Sequence, residues 1–248
     1  MSNNDLLRYS KQIILKQVGV LGQKKISTTK VLIVGMGGLG CPVGLYLSNL
    51  GIKKIGIVDH DKVDLSNLNR QILFNTSDIG KFKVIQAKKF LKKINKTIKI
   101  DIYKKKITGK NILNILNKYD IICDCSDNFT TRYLLNDFCL KNKKILISAA
   151  ISKFEAHIFN FNFSKNIPCY RCFMPEIPEQ ENKCDTEGIL PTVAGIAGTL
   201  QANEVVKSIL DRKNELVGKM VVFNTLNLNF RKIKLTKNSN CIKCSKQK

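Results

Sequence analysis

An aliphatic, mostly β-branched run, Val31-Leu32-Ile33-Val34, leads straight into Gly35-Met36-Gly37-Gly38-Leu39-Gly40, and an acid, Asp59, lies 19 residues past the last of these glycines. That order dictates a strand, a tight turn, a helix and a second strand ending in a carboxylate. Glycines let backbone N–H groups approach a ligand, and the helix N-terminus behind them favours negative charge, so the unit is a phosphate cradle. Alone, it fits a dinucleotide-dependent oxidoreductase. The residues downstream point elsewhere. Asp61, Asn67, Arg70, Gln71 and Lys83 come next, with Asp127 and Asn128 further on, and no hydride-transfer constellation accompanies them. Guanidinium, ammonium and carboxylate near one cradle suit ATP with its Mg²⁺ better than a hydride carrier.

The spacing predicts strand 31–34, helix 38–50 closed by Gly51, and strand 55–59, then a helix over 81–94 and a strand over 98–102. A short helix over 110–117, strand 120–124, helix 130–140 and strand 145–149 come after these, and the first 20 residues supply one or two helical turns outside the main core. Strand 120–124 delivers Asp127 and Asn128 to its C-terminal end, where ligands bind in open α/β sheets. Past residue 150, Ile158-Phe159-Asn160-Phe161-Asn162-Phe163 alternates as an antiparallel strand should, and further strands fall at 220–224 and 228–235. A polar segment (174–188) and a long apolar helix (192–210) lie between them. The expected fold is α/β: a Rossmann-like, mostly parallel sheet with helices on both faces, extended by C-terminal antiparallel strands and a zinc knot. At 248 residues, this is one domain, with a nucleotide-binding part (1–150) and a later part (151–248).

The knot comes from Cys169/Cys172 and Cys241/Cys244, two C-x-x-C hooks about 70 residues apart, the pattern of one Zn²⁺ held by four thiolates. Cys41, Cys123, Cys125 and Cys139 read as small buried apolar residues. The formal charge of +23 raises nucleic-acid binding. The lysines are dispersed along the chain without a basic–aromatic platform, so they read as a solvated coat with no specific nucleic-acid partner. No apolar run reaches a membrane-spanning length and the N-terminus carries no signal core, which leads to the expectation of a cytoplasmic chain with no membrane partner.

Taken together, Arg8-Tyr9-Ser10-Lys11-Gln12-Ile13, the glycine loop, Asp59, Ser66-Asn67-Leu68-Asn69-Arg70-Gln71, Lys83, Asp124-Cys125-Ser126-Asp127-Asn128, Cys169-Tyr170-Arg171-Cys172 and Cys241 to Cys244 resemble the ThiF/MoeB/HesA family. This family adenylylates ubiquitin-like sulfur carriers and is related to ubiquitin-activating enzymes. Gln71-Ile72-Leu73-Phe74, Leu200-Gln201-Ala202 and Cys184 near Thr186 and Gly188 resemble the ThiF branch, which serves the thiamine-pathway carrier ThiS. A MoeB-type enzyme acting on the molybdopterin carrier shares every ATP residue and is the alternative.

The resemblance implies a catalytic set of Arg70, Lys83, Asp127, Cys184 and Lys11. Arg70 and Lys83 would hold the ATP phosphates, Asn67 and Gln71 would add directional hydrogen bonds, and Asp59 would accept from the ribose. Asp127 would bind Mg²⁺, although an Asx turn or helix cap before Thr130 is its other use. The nucleotide set is completed by Gly35, Gly37, Gly38, Gly40, Asp61, Ser66 and Asn128. Lys11 stands where the family has an arginine supplied to a neighbouring subunit, which implies a homodimer with lysine in place of the planar fork. Cys184 matches the cysteine that forms an acyl disulfide with the carrier in the ThiF branch. The expected partners are a small ubiquitin-like carrier ending in Gly-Gly, engaged by the later part of the chain, and a separate sulfur donor protein, since no rhodanese-like extension follows residue 248.

Overall fold

The computed structural model describes residues 1–177, 188–210 and 214–245. Its strands are β1 (Lys30–Val34), β2 (Lys54–Val58), β3 (Lys99–Tyr103), β4 (Ile121–Asp124), β5 (Ile145–Ser152), β6 (Glu155–Asn162), β7 (Lys219–Asn224) and β8 (Asn229–Lys234). They form one sheet in the order β3-β2-β1-β4-β5-β6-β7-β8. The pairs from β3 to β5 are parallel and those from β5 to β8 antiparallel. Parallel strands covered on both faces must be apolar on both, and β1 is: Val31 and Ile33 enter one core, Leu32 and Val34 the other.

On the first face lie α3 (Gly19–Thr28), α4 (Gly40–Leu50), α5 (Lys83–Ile94) and α9 (Pro191–Ile209), which contribute Ile26, Leu47, Leu91 and Val193 to that core. The opposite face holds α6 (Ile112–Leu116), α7 (Phe129–Lys141) and α8 (Tyr170–Phe173), with Ile115, Phe138 and Tyr170 buried beneath them. Short α1 (Asn3–Arg8) and α2 (Ser10–Ile13) precede α3. Leu91 is fully buried, and truncating such a leucine costs about 2–5 kcal/mol because the cavity does not fully collapse.

The element pattern follows the sequence with shifts of a few residues at element ends, and the short helix α8 is unanticipated. Helix α4 begins at Gly40 rather than at 38, since Gly38 and Leu39 complete the turn after β1. Helix α3 is unanticipated by apolar periodicity, because the residues it buries are Gly22, Gln23 and Ile26. Gly22 is there for close approach: a Cβ would sit 2.8 Å from Leu210 Cδ2. Gln23 donates to the Leu50 carbonyl at 3.0 Å, tying α3 to the end of α4. In β6 the alternation holds, and Phe159, Phe161 and Phe163 stack along one face with centroids 5.6 Å apart. No helix among the described residues is long and apolar enough to cross a membrane.

Candidate functional site

Strand β1 pairs with β2 on one side and β4 on the other, so the chain leaves β1 in opposite directions and a crevice opens at the C-terminal ends. A cleft of about 570 Å³ lies there. Gly35, Gly37, Gly38, Asp59, Asp61, Asn67, Arg70, Gln71, Lys83, Asp127 and Asn128 all line it. Gly40, Ser66 and Lys11 are not among its lining residues.

The glycines divide into two kinds. Gly35 has φ +92°, and a Cβ there would lie 2.5 Å from the Cys125 carbonyl oxygen. At Gly40 a Cβ would meet the Gly35 oxygen at 2.1 Å, so this glycine closes the turn rather than admitting a ligand. Gly37 is different, with Gln71 Nε2 its nearest contact at 3.8 Å. Asp59 pins the loop: its carboxylate accepts the Met36 N–H at 2.7 Å and the Asp61 N–H at 2.8 Å. Burial pushes its pKa up, against the pull of those N–H groups.

Lys83 is buried at the cleft wall, with Nζ 3.0 Å from Asp61 Oδ2. His60 Nε2 approaches the other Asp61 oxygen at 3.3 Å. Arg70 is aimed by its own turn, donating through Nη1 to the Ser66 carbonyl at 2.8 Å and to Asn69 Oδ1 at 3.2 Å. Ser66 thus acts through its backbone, while its hydroxyl donates to Asp64 at the N-cap of the turn Leu65–Asn67. Gln71 is only 3% exposed and its Oε1 has no partner among the described residues. An orphaned buried acceptor beside a phosphate cradle fits a ligand that brings its own donors.

Asp124 and Asp127 have separate tasks. Asp124 is fully buried, bonded to Ser126 and Ser148, with Arg132 Nε 3.1 Å away. Asp127 is exposed to the cleft. The cap of α7 is Asn128, whose Oδ1 accepts the Thr131 N–H at 2.9 Å, so the helix-cap half of the alternative use of Asp127 does not hold. Asn128 also donates to Asp127 Oδ1 at 3.2 Å.

Several lining residues escape the sequence reading: Arg132, Lys62, Lys105 and Lys106. The lysines are therefore not all a solvated coat. Lys105 and Lys106 lie just past the end of β3, and a βαβ topology brings that end beside β2 and Asp59, which is the signal that could have found them. Lys11 is exposed on α2. Neighbouring Gln12 bonds to the Leu50 carbonyl at the far end of α4, roughly 16 Å along that helix from the glycine loop. Lys11 therefore lies away from the cleft of this chain. Cys184 falls outside the described residues.

On the opposite face the two cysteine hooks meet. The ligand atoms of Cys169, Cys172, Cys241 and Cys244 all lie within 4.8 Å of one another, with Cys169–Cys241 at 3.7 Å and Cys172–Cys244 at 3.2 Å. A tetrahedral Zn²⁺ with Zn–S near 2.3 Å needs sulfurs about 3.8 Å apart, so the set fits that ion. Burial raises the Cys241 pKa, but the N–H groups of Cys244 and Lys243 and the neighbouring thiols overcome this and bring it down, while burial pushes Cys169 and Cys244 up. Those N–H groups favour a thiolate ligand.

Residues 9–243 match the ThiF family. The chain is 42% identical over 248 residues to the adenylyltransferase and sulfurtransferase MOCS3 of Culex quinquefasciatus, covering 99% of this chain and 56% of that protein. It is 40% identical over 245 residues to the Dictyostelium discoideum protein of the same name, covering 97% and 57%. It thus spans little more than half the length of these curated relatives. Among solved structures, Escherichia coli MccB with ATP superposes with a TM-score of 0.84 at 25% identity, over 96% of this chain and 74% of that one.

Proposed function

The chain belongs to the ThiF family, and from the contents of its cleft we propose that it uses ATP to adenylylate the C-terminal glycine carboxylate of a ubiquitin-like sulfur carrier. A carboxylate oxygen attacks the α-phosphorus, the bond from that phosphorus to the α,β-bridging oxygen breaks, pyrophosphate leaves, and a carrier acyl-adenylate remains. A carboxylate is a weak nucleophile facing a polyanion, so the work is positioning and charge neutralisation rather than general-base catalysis. Arg70, already aimed by Ser66 and Asn69, and buried Lys83 supply the cations. Gln71 offers its amide N–H to phosphate and its oxygen, unpartnered among the described residues, to a hydroxyl or water. Asp59 keeps the loop in register and presents its remaining lone pairs to the ribose. Asp127, exposed to the cleft, would hold Mg²⁺, which neutralises phosphate charge. The four cysteines would hold Zn²⁺ as a structural tie, and Lys11 would serve the partner's cleft in a homodimer.

The observation that carries this reading is the convergence of Arg70, Lys83 and Asp127 on one glycine cradle. The similarity to MOCS3 enzymes supports a sulfur-carrier substrate without singling out the thiamine branch. The carrier itself is a ThiS-like protein or, in the MoeB-type alternative, the molybdopterin-synthase carrier. The test is ATP–pyrophosphate exchange with each of these carriers. Losing one charged contact to the transition state should cost roughly 3–4 kcal/mol, about 10²–10³-fold, in Arg70→Ala, Lys83→Ala and Asp127→Ala. Exchange with neither carrier would sink the activity, and near-normal exchange in Asp127→Ala would sink the metal ligand. Cys184→Ser should leave exchange intact, because the step at phosphorus uses no thiol. A fall in carrier thiocarboxylate in that variant favours the ThiF branch.

A further inference from the structure

The polar atoms of Ser126, the residue just before Asp127, are tied down. Its N–H and its hydroxyl both donate to Asp124 Oδ1, and its carbonyl accepts from Arg132 Nη2 at 3.0 Å. The same nitrogen reaches across to the Ala149 carbonyl on β5 at 2.8 Å. Arg132 is 5% exposed, packs its guanidinium 5.6 Å from the Tyr170 ring centroid, and is held by Asp124, which Ser148 also anchors at 2.6 Å. From the other face of the sheet, Gln201 donates to the Asp124 and Ile147 carbonyls at 2.8 and 2.9 Å. The ends of β4 and β5 are therefore stitched together from both faces. On the far side of Asp127, Asn128 is fixed as the cap of α7. Asp127 is the exposed residue between two immobilised points, and Ala150 and Ile151, next to the other stitched carbonyl, form the facing wall of the cleft.

We propose that Arg132 is a positioning residue for the metal: by bonding the Ser126 and Ala149 carbonyls with one guanidinium, it fixes the Asp127 carboxylate relative to the β5 wall and so sets the divalent-cation affinity of the nucleotide complex. This rests on Asp127 being the metal ligand. Arginine matters because Nη2 takes both carbonyls while Nε faces Asp124 at 3.1 Å, whereas a lysine keeps the charge but has one nitrogen for both places. Direct hydrogen-bond partners of metal ligands typically change metal affinity by about 10–100-fold when removed, and a residue acting through the adjoining backbone belongs at the low end of that range.

The test uses the full chain with ATP and Mn²⁺, read by electron paramagnetic resonance, beside calorimetric ATP binding in EDTA. Arg132→Lys should weaken Mn²⁺ binding to the ATP complex about tenfold while metal-free ATP binding stays within twofold of wild type. Ser148→Ala, which loosens Asp124 without stranding a charge, should weaken Mn²⁺ about threefold, and it decides the matter if Arg132→Lys does not fold. Unchanged Mn²⁺ affinity in the folded variants overturns the proposal, as does an equal loss of metal-free ATP binding. An Asp127→Ala protein that still binds Mn²⁺ like wild type would overturn the metal-ligand assignment beneath it instead.

Discussion

Gly37 and Gly40 sit three residues apart in one loop, yet alanine should do opposite things at each. At Gly40 the new Cβ would fall 2.1 Å from the Gly35 carbonyl oxygen and 3.5 Å from Ile33 Cγ2. The first is backbone, and Gly35 is itself held against Cys125, so no flexible side chain can yield. Overpacking costs typically about 1–3 kcal/mol, and a backbone clash belongs at the top of that range. In a chain of this size about 3 kcal/mol lowers Tm by roughly 6–12 °C. At Gly37 the Cβ meets nothing closer than 3.8 Å and φ is not positive, so stability should hold or rise by up to about 1 kcal/mol. The methyl instead occupies the space a phosphate needs, and ATP should bind about 10²-fold more weakly, a loss of about 2.7 kcal/mol. Thermal unfolding and calorimetric titration with ATP read the two effects separately. Wild-type ATP affinity in Gly37→Ala would refute the ligand-approach role, and an unshifted Tm in Gly40→Ala would refute the packing argument.

Cys241→Ser should lose zinc, measured by elemental analysis, and lower Tm while leaving ATP affinity nearly unchanged, because the cluster lies on the face of the sheet away from α4. A Lys11→Ala protein mixed with Arg70→Ala should recover part of the exchange activity through heterodimers with one intact cleft, whereas no recovery on mixing would place Lys11 outside the reaction. Asp5 is held below the usual carboxylate range chiefly by the hydrogen bond from Lys53, at 2.9 Å. A depressed carboxylate stabilises the fold above its unfolded pKa of about 3.9, and that contribution is lost as pH falls through the folded value. Asp5→Asn should therefore lower stability at pH 7 by about 0.5 kcal/mol, given the partial exposure of Lys53, and unfolding curves should converge with wild type well below pH 4.

The parallel strands were legible because burial on both faces leaves continuous apolar runs, and the hooks Cys169/Cys172 and Cys241/Cys244 because their spacing is itself the signal. Roles that depend on which backbone atom lies nearby were not. Nothing in a GxGGxG string says that one glycine faces a ligand and another faces Gly35 O. Ser66 counts through its carbonyl, which composition does not encode. Arg132 reaches Ala149, 17 residues away, only because α7 folds back over the β4–β5 seam. Helix α3 buries a glutamine and a glycine, so a search for apolar stripes passes over it. Lys105 and Lys106 gain meaning from sheet order alone, since β3 lies beside β2.

The pairing of Lys83 with Asp61 bears on how an anion would enter. A buried ammonium without a counter-charge is costly. Here the Asp61 carboxylate stands as a placeholder, offering Lys83 at 3.0 Å the kind of oxygen a phosphate would later present. Binding becomes an exchange of partners rather than the capture of a bare charge. A singly charged anion gains little by displacing a carboxylate of equal charge, while a polyphosphate does so with several oxygens at once. The cleft would thus reject chloride and acetate by competition from within, and Asp61→Asn should make it bind such small anions indiscriminately.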